Sequence, residues 1–557
     1  MKRKFYLGIV VVLLLGGIAV SQWRKPAVKA SPDAVLYFIG DTEHELSRMP
    51  ARFTRMSDAE EVALGNHLAS YLPVITSLDN PDVIAVQEYV SRVGLQVAAH
   101  AHRKLPYKFH YIPQRSFVNA YALPGGHVVI GAGMIELMDS EDELASVLGH
   151  EIEHIDHYQC AERAQTEQTL HRIPLASLAA LPVEIFQAGY SKTDELEADR
   201  EGVRLAALAG YSPEGAIRLF ETFDRLYHEL PLKTSNPEQE VSAVVIEGIS
   251  GYFRSHPMPA DRVEQIRTMI ASEHLAVPKQ EKPLLVQYIF ATRKARDSFD
   301  TAKYEEAVRQ TSVALSLNPD YVPARKLRAQ SEFLLARFSD AASDYAQLMK
   351  SWQDIATVDA FADSLAAAKR DSAASEFEQS ITNLQAPVEA KPLIDADLAG
   401  LRLLGGSSSP AEQLTEAARK DRQGDVLARI GKWSYRAGNF DQAAELLQSA
   451  TELRPETEQY HAQLRWAQIE QGKFESALKQ NSYGNESSDS MSRAVALWQA
   501  HDQDAALLSF NSVLGAAPYW KNPAWTRALY AADVTETIQQ MQHETERRKE
   551  AALKHSH

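Results

Sequence analysis

Apolar residues recur at helical spacing in the first part of the chain. The period begins near Ser57, whose hydroxyl can cap a helix that opens with acidic residues, and it continues through Leu64, Leu68 and Leu72. A second stretch with the same period covers residues 83–98. These patterns predict two amphipathic helices at the start of a folded domain.

The period then changes to that of β-strands. Aromatic and β-branched residues dominate the runs 107–112, 117–123 and 127–130, and a Pro-Gly-Gly turn separates the last two. We therefore expect a small sheet. The strand around Asn119 is a candidate edge strand, which either binds an extended peptide through backbone hydrogen bonds or only completes the sheet.

Helical periodicity returns after Asp139. It predicts helices at 141–159, 194–208 and 213–228. Residues 229–255 follow as a long irregular stretch that includes Pro231, Pro237, Gly248 and Gly251. Because loops of this length usually have a function, we expect this one to be a lid over a site.

Beyond about residue 280 the chain repeats itself. Tyr304 and Phe338 are 34 positions apart, and Gly438 and Gly472 show the same interval further along. This period, with an aromatic residue ahead of a small one, resembles the tetratricopeptide repeat. We expect an α-solenoid of five to seven helix pairs over 280–540, a looser break at 387–410 and a polar tail at 541–557.

Length and composition are those of a folded protein with more than one domain. The 557 residues exceed a single hydrophobic core, and 45% are hydrophobic while 24% are charged. A formal net charge of −16 argues against a nucleic-acid partner. Cys160 is the single cysteine, so an intrachain disulfide and a cysteine-rich metal site are excluded, and a buried thiol is expected.

The N-terminus has the order of a secretory signal. Lys2, Arg3 and Lys4 precede an apolar run at 5–20. We expect 1–28 to be a signal peptide, with an uncleaved anchor that associates with the inner membrane as the alternative. Residues 29–55 are expected to form an extended segment. The protein is therefore predicted to be exported from the cytoplasm.

The run from His150 to His154 (His-Glu-Ile-Glu-His) is the strongest chemical signal in the chain. Two histidines four apart on a helix point one way and can bind one zinc ion. Glu151 between them is then placed to take a proton from the water that attacks a peptide carbonyl. Chance alone produces such a run in roughly a few per cent of chains of this size. The apolar, helical surroundings favour a buried metal site over two exposed histidines.

A catalytic zinc also needs a third protein ligand. Glu195 and Asp199 lie four positions apart on a predicted helix, so one carboxylate can bind the metal while the other orients a ligand histidine. Read alone, such an acidic pair is more often a solvated helix face. His157 is a weaker candidate, because it lies too far along a straight helix from a metal held by His150 and His154.

Five segments, taken in order, resemble the M48 zinc metallopeptidases. They are SDAEEVALG at 57–65, NAYALPGG at 119–126, HEIEH at 150–154, ELEAD at 195–199, and His256-Pro257 with Arg262. The resemblance covers about residues 56–270. It implies a mainly α protein in which an α+β zincin-type metalloprotease domain with a small β-sheet, at 56–275, precedes the tetratricopeptide-repeat solenoid.

The resemblance also implies which residues hold the metal. One zinc ion per chain is expected, with His150, His154 and Glu195 as ligands. Glu151 is implied as the base, and Asp199 is implied to act behind a ligand histidine.

Two further residues gain a role from the same resemblance. His256 and Arg262 correspond to residues near the metal, where they could stabilise the oxyanion of the tetrahedral intermediate. In periplasmic relatives the loop carrying this histidine can also supply a fourth zinc ligand. We hypothesise on that basis that His256 keeps the enzyme latent.

The function predicted from these patterns is a zinc endopeptidase of the bacterial cell envelope that hydrolyses unfolded or misassembled proteins. The repeats would bind these polypeptide substrates or a partner. A periplasmic location, outer-membrane protein quality control and outer-membrane assembly proteins as partners follow from the resemblance. The alternative is a repeat-based scaffold or chaperone whose protease domain is largely latent.

Overall fold

The structure, a computed structural model, describes residues 56–72, 80–171, 186, 190–229, 252, 256, 259–369, 371–480 and 487–555. The predicted signal or anchor at 1–28, the segment 29–55 and most of the predicted lid lie outside these residues. The chain divides into two compact units between Leu284 and Leu285. Within the described part, no helix has the length and apolar character needed to cross a membrane.

The first unit combines helices with a small three-stranded sheet. Its elements are α1 (Asp58–Ala69), α2 (Pro81–Ala98), β1 (Lys108–Ile112), β2 (Ala120–Leu123), β3 (His127–Gly131), α3 (Ala132–Ile135), α4 (Glu141–Asp156), α5 (Gln159–His171), α6 (Lys192–Leu208), α7 (Gly215–Glu229) and α8 (Pro259–Ser272).

The helix starts follow capping rules that are visible in the sequence. Ser57 and Glu60 form a capping box at α1, in which the Ser57 amide donates to Glu60 Oε2 at 2.8 Å. Ser140 and Glu143 do the same at α4. Helix α4 ends at Asp156, earlier than the predicted 159, because Tyr158 adopts a left-handed φ of 61° that a helix cannot contain.

The predicted sheet is present, with strand order β1-β3-β2. β1 runs parallel to β3 and β2 runs antiparallel to it, so that Ala120 pairs with Ile130. β2 is therefore an edge strand of this sheet, as expected. It begins at Ala120 instead of 117, although a hydrogen bond from the Gly131 amide to the Asn119 carbonyl (3.0 Å) continues the pairing by one residue.

A buried ion network joins the segments around the sheet. Arg103 binds Glu61 at 2.5 Å and Asp58 at 2.7 Å, and its Nη1 donates to the Ile155 carbonyl at the end of α4 (2.6 Å). Glu61 in turn accepts from the Gly125 amide at 3.0 Å. This network ties α1, the turn before β3 and the end of α4 together.

The second unit is a run of helix pairs. Its elements are α9 (Gln287–Asp300), α10 (Tyr304–Leu317), α11 (Val322–Leu334), α12 (Phe338–Leu348), α13 (Ile355–Ala367), α14 (Ala373–Ile381), α15 (Lys391–Leu404), α16 (Ser409–Lys420), α17 (Gly424–Arg436), α18 (Phe440–Leu453), α19 (Glu458–Glu470), α20 (Phe474–Lys479), α21 (Ser487–Gln499), α22 (Gln503–Ala516), α23 (Pro523–Leu529) and α24 (Ala532–His555). The mainly α fold with one small sheet is thus confirmed.

The turns inside the pairs share one backbone feature. Each of the seven turns from α9/α10 to α21/α22 in the described chain contains a residue with positive φ, namely Ala302, Ala336, Lys369, Gly406, Gly438, Gly472 and His501. The predicted break at 387–410 was wrong. Most of it is helix, because α15 and α16 form an ordinary pair that turns at Gly406.

A buried carboxyl group connects three of these pairs. Asp397 on α15 is 0% exposed; it accepts from Trp433 Nε1 at 3.0 Å and lies 2.7 Å from Arg429 Nη1 on α17. Burial, together with the nearby Asp359 on α13, raises the pKa of Asp397 above its ordinary value, while Lys432 and Arg429 hold the pKa of Asp359 down against its own burial. In an unfolded chain the same carboxyl stays ionised down to about pH 4.

The pKa of Asp397 leads to a prediction about stability. Because the folded state keeps a proton on Asp397 at pH values where the unfolded state has lost it, the Asp397 carboxyl should add roughly 1–3 kcal/mol to the free energy of unfolding as the pH falls from 8 towards 4. Asp397→Asn should flatten this dependence. Urea unfolding followed by tryptophan fluorescence measures it, and the exposed Asp395→Asn on the same helix is the control. An equal pH slope in wild type and Asp397→Asn would contradict the prediction.

Candidate metal centre

Four side chains from three segments converge in the first unit. α4 carries His150 and His154 one turn apart, α6 carries Glu195, and His256 precedes α8. One ligand atom from each lies within 4.8 Å of all the others, and all four residues are buried. The structure therefore brings the three predicted ligands and His256 to one point.

The distances within this group suit a small cation. His150 Nε2 and His154 Nε2 are 3.1 Å apart, and the Glu195 carboxylate lies 3.5 Å from the first and 3.7 Å from the second. Zinc bonds of about 2 Å in tetrahedral geometry require ligand atoms at about this separation. Glu195 Oε1 is buried without a hydrogen-bond partner among the described residues. A buried carboxylate oxygen left unpaired is costly, so this donor set fits zinc.

Partners on the far side orient both histidine rings. Asp199 Oδ1 lies 3.0 Å from His150 Nδ1, and Gln159 Oε1 lies 2.5 Å from His154 Nδ1. When His154 Nδ1 donates to Gln159, its Nε2 is left with a lone pair directed at the cluster, whereas His150 Nδ1 lies at ion-pair distance from Asp199 without the alignment of a hydrogen bond. The sequence indicated Asp199 through its spacing. It contained no signal for Gln159, which reaches His154 only because the chain reverses at Tyr158.

Arg262 on α8 is connected to the His150 ring through Asp199. Its Nε and Nη2 donate to the two carboxylate oxygens of Asp199, each at 2.6 Å. Burial alone would raise the pKa of Asp199. The charges and hydrogen bonds of Arg262, and then of His150, lower this pKa to about 2. Arg262 Nη1 has no partner within the described part of the chain.

His256 lies inside the cluster, where it contacts Glu195 and the ring of Tyr252. Its Nδ1 is 2.7 Å from Glu195 Oε2, and its ring stacks on Tyr252 with centroids 4.4 Å apart. Burial alone would raise the pKa of Glu195. The nearby His256 and His150 nevertheless hold this pKa well below its usual range. A negatively charged Glu195 is the form that binds a cation.

Glu151 is buried beside the cluster on the same helix as two of its members. Burial raises its pKa, and the nearby His150 and His256 oppose this rise. The neighbouring Glu153 points elsewhere, since it pairs with His157 at 3.0 Å. His157, the weaker ligand candidate, lies outside the group of four.

An aromatic ring also packs against the imidazole of His154. The Tyr190 ring stacks on the His154 imidazole with centroids 4.0 Å apart, and the Tyr190 hydroxyl lies 3.2 Å from Cys160 Sγ. Cys160 is buried, as expected. The sequence had not indicated a role for Tyr190 or Tyr252, because only the tertiary structure brings each against a histidine.

Two glycines let the ligand-bearing helices come together. A Cβ on Gly149 of α4 would lie 2.5 Å from the Gly202 carbonyl of α6, and one on Gly202 would lie 2.6 Å from the His150 amide. Real Cβ atoms do not approach backbone this closely. Glycine at both positions is therefore what allows Glu195 to reach the histidines.

We expect Gly202→Ala to force α4 and α6 apart. The cost in stability should be about 1–3 kcal/mol, and zinc affinity should fall by about tenfold or more as Glu195 is displaced. Thermal unfolding and a competitive zinc titration measure the two effects. Gly515→Ala is the control, since its Cβ meets no described atom within 4 Å. Unchanged zinc affinity in Gly202→Ala would show that the crossing does not set the ligand geometry.

Comparison with known proteins identifies relatives of both parts. Residues 85–270 match the sequence model of peptidase family M48. The β-barrel assembly-enhancing protease of Escherichia coli (strain K12) is 22% identical over 478 residues, which are 76% of this chain and 88% of the relative. The mitochondrial metalloendopeptidase OMA1 of Arabidopsis thaliana is 32% identical over 117 residues, 20% of this chain and 24% of the relative. The solved TPR domain of P58(IPK) aligns with 69% of this chain and 99% of its own at 12% identity, with a TM-score of 0.19.

Proposed function

Because residues 85–270 of this chain are a metallopeptidase domain of family M48, we propose that the protein is a zinc-dependent endopeptidase of the bacterial cell envelope that hydrolyses unfolded or misassembled proteins. The observation that carries this proposal is the buried convergence of His150, His154 and Glu195 beside Glu151. One zinc per chain is proposed.

Each residue of the site has a distinct proposed task. Zinc, when bound by His150, His154 and Glu195, supplies Lewis-acid polarisation and makes water more acidic. Glu151 takes the proton of the attacking water and passes it to the leaving amine. Asp199 and Arg262 hold the His150 ring in place, and Arg262 Nη1 is the donor left for the developing oxyanion.

The edge strand β2, whose residues are buried in this structure, is the proposed binding site for substrate backbone once the site opens. A strand at the edge of a sheet offers backbone amides and carbonyls to an extended peptide. Binding of this kind depends little on side chains. It would therefore suit an enzyme whose substrates share an unfolded state and no particular sequence.

The proposed setting is the periplasm. The relative that covers 76% of this chain is named for enhancing β-barrel assembly. We propose that outer-membrane proteins and their assembly machinery are the clients and partners, and that the helix pairs of the second unit bind them. Solenoids of stacked helix pairs present extended surfaces for such binding.

The position of His256 favours a second function for the repeats. With His256 2.7 Å from Glu195, the site would be closed to substrate in this state. A protein that spends most of its time closed would act mainly as a repeat-based scaffold or chaperone. Proteolysis would then depend on a partner that withdraws His256.

The proposal is tested by metal content together with proteolysis. Purified protein should contain about one zinc per chain and should degrade a permanently unfolded protein. A chelator should remove both zinc and activity, and zinc should restore them. Zinc-loaded protein that cleaves no unfolded substrate, alone or with envelope extract, would overturn the protease assignment.

A further inference from the structure

Residues 517–531 form a strap that joins α22 to the last helix, α24. The strap contains a short 3-10 turn (Pro518–Lys521) and the helix α23, and it is longer than any link between two helix pairs in the described second unit. None of its residues is acidic. Four of its side chains are aromatic, namely Tyr519, Trp520, Trp525 and Tyr530.

The two sides of the strap differ in exposure. Trp520 and Trp525 are buried, at 1% and 5% exposed. Lys521 and Arg527 are exposed to solvent. The strap therefore lies on the surface of the repeats with its aromatic side turned inward.

The aromatic side of the strap lies on the first helices of three pairs, α17, α19 and α21. The Tyr530 ring packs against Trp466 of α19 with centroids 4.7 Å apart, and its centroid is 6.5 Å from that of Tyr435 on α17. Tyr519 Oη lies 2.7 Å from Ser487 Oγ on α21. These helices thus bind aromatic side chains at both ends of the strap.

Side chains of α17 also bind the backbone of the strap. Arg436 Nη2 donates to the Ala528 carbonyl at 3.2 Å, and the Ala531 amide donates to Tyr435 Oη at 3.4 Å. Contacts of this kind depend little on the sequence of the bound segment. We call the surface formed by Tyr435, Arg436, Trp466 and Ser487 the strap site.

The strap also reaches the first helix pair. The ring of Tyr519 lies 6.2 Å, centroid to centroid, from the ring of Tyr304, which begins α10. This separation is within the range of interacting aromatic pairs. Tyr519 therefore contacts the first pair as well as the pair α21/α22, and the strap connects the two ends of the repeat array.

The fit between the strap and the repeats is incomplete. Trp520 Nε1 and Trp525 Nε1 are buried without an acceptor among the described residues, which costs free energy that exposure to water would recover. Tyr530 Oη and Ser488 Oγ are 3.5 Å apart, which is long for a hydrogen bond between hydroxyls. A cavity of about 240 Å³ remains between the end of the strap and the first helices. A segment that packs in this way is displaced at lower cost than a fully packed core helix.

We propose that the strap is an internal ligand of the repeats, which occupies a binding site for aromatic-rich unfolded polypeptide until a client segment displaces it. This inference rests on the proposed function, in which unfolded polypeptides are the clients of the repeats. It adds the place of binding, the chemistry of the bound segment and a competitor that regulates access. Exposed aromatic side chains distinguish an unfolded client from a folded protein.

Competition between strap and client sets the expected size of the effect. The apparent affinity for a client segment is the intrinsic affinity multiplied by the fraction of molecules in which the strap is released. Weakening the strap therefore strengthens client binding, although the substitutions lie outside the strap site. A purely structural strap predicts the opposite, because loosening it would disturb the site.

The test uses the full-length chain with Glu151→Gln as the parent, so that the probe is not cleaved. The probe is a fluorescein-labelled peptide with the sequence of residues 517–531, and fluorescence anisotropy gives its affinity. Tyr519→Ala combined with Tyr530→Ala removes aromatic contacts at both ends of the strap. This double variant should bind the peptide about tenfold or more tightly than the parent does.

A matched control comes from the exposed side of the same strap. Lys521→Ala combined with Arg527→Ala should leave the peptide affinity at that of the parent. A second peptide with serine at its four aromatic positions should bind neither chain. Benzoylphenylalanine at the Tyr530 position of the first peptide should photo-crosslink to α17, α19 or α21.

Hydrogen exchange tests displacement in the parent chain, whose strap is unmodified. Peptide at saturating concentration should accelerate amide exchange in 517–531 and leave α22 and α24 as they were. This measurement decides alone if circular dichroism shows that the double variant does not fold. Strap exchange that the peptide leaves unchanged, equal peptide affinities of parent and folded double variant, binding of the serine peptide, or crosslinks elsewhere would each overturn the proposal.

Cleavage of an unfolded protein by the wild type is measured in parallel. If cleavage depends on Glu151 but the peptide does not displace the strap, the strap inference fails and the proposed function stands. If cleavage is absent while the peptide binds and displaces the strap as expected, the protease assignment fails and the strap inference holds.

Discussion

Replacing Glu151 with Gln is expected to abolish hydrolysis of an unfolded protein while zinc stays bound. The amide has nearly the same shape as the carboxylate but cannot accept a proton from water. Loss of a general base typically costs about 10²–10⁴ in rate. His150, His154 and Glu195 are untouched, so zinc content should remain about one per chain. Cleavage followed by gel and metal analysis of the same sample measure both quantities.

Glu153→Gln is the matched control for this experiment. Glu153 lies on the same helix, is buried as deeply and pairs with His157 away from the ligand cluster. Its replacement should leave most of the activity. A Glu151→Gln protein that still cleaves, or that has lost its zinc, would contradict the assigned role. If the variant also supports every cellular function of the wild type, the scaffold hypothesis gains over the protease.

His256→Ala is expected to raise the basal rate of proteolysis, by about tenfold if the closed state dominates. The reason is that His256 lies 2.7 Å from Glu195 within the group of four, where its imidazole would take the zinc position that water needs. Removing the ring opens this position and leaves the three other ligands in place. Initial rates of cleavage of an unfolded protein, without any activating partner, measure the change.

A lower rate would identify the other role considered for His256. If its imidazole stabilises the oxyanion, His256→Ala should reduce kcat with little effect on zinc content. His157→Ala is the control, because His157 lies just past the end of α4, outside the cluster, and contacts Glu153. Its rate should match that of the wild type.

Much of the first unit could be predicted from local pattern. The capping residue Ser57 placed the start of α1, helical periodicity after Asp139 placed α4, and runs of β-branched and aromatic residues indicated the sheet. The ends were harder to place. Tyr158 ends α4 with a left-handed backbone that no residue preference would have suggested, since tyrosine rarely adopts it.

The turns of the repeats were also hard to predict from residue preferences alone. Two of the pairs that were recognised from the sequence turn at Gly438 and Gly472, where glycine marks a left-handed residue. Other pairs make the same turn with Ala302, Lys369 or His501, which carry no such mark. Packing of neighbouring pairs, and not turn preference, must hold these residues in place. The segment 387–410 was expected to be irregular because of its glycine, serine and proline residues, although it forms a pair whose turn uses Gly406.

At the metal centre, the sequence by itself determined which residues share a helix face. A helical turn of 3.6 residues places His150 beside His154 and Glu195 beside Asp199 wherever these helices lie. Only the tertiary structure decided that the two faces meet, through the close crossing at Gly149 and Gly202. The contacts of Gln159, Tyr190 and His256 were likewise decided by tertiary structure, because each depends on packing between segments that local spacing does not encode.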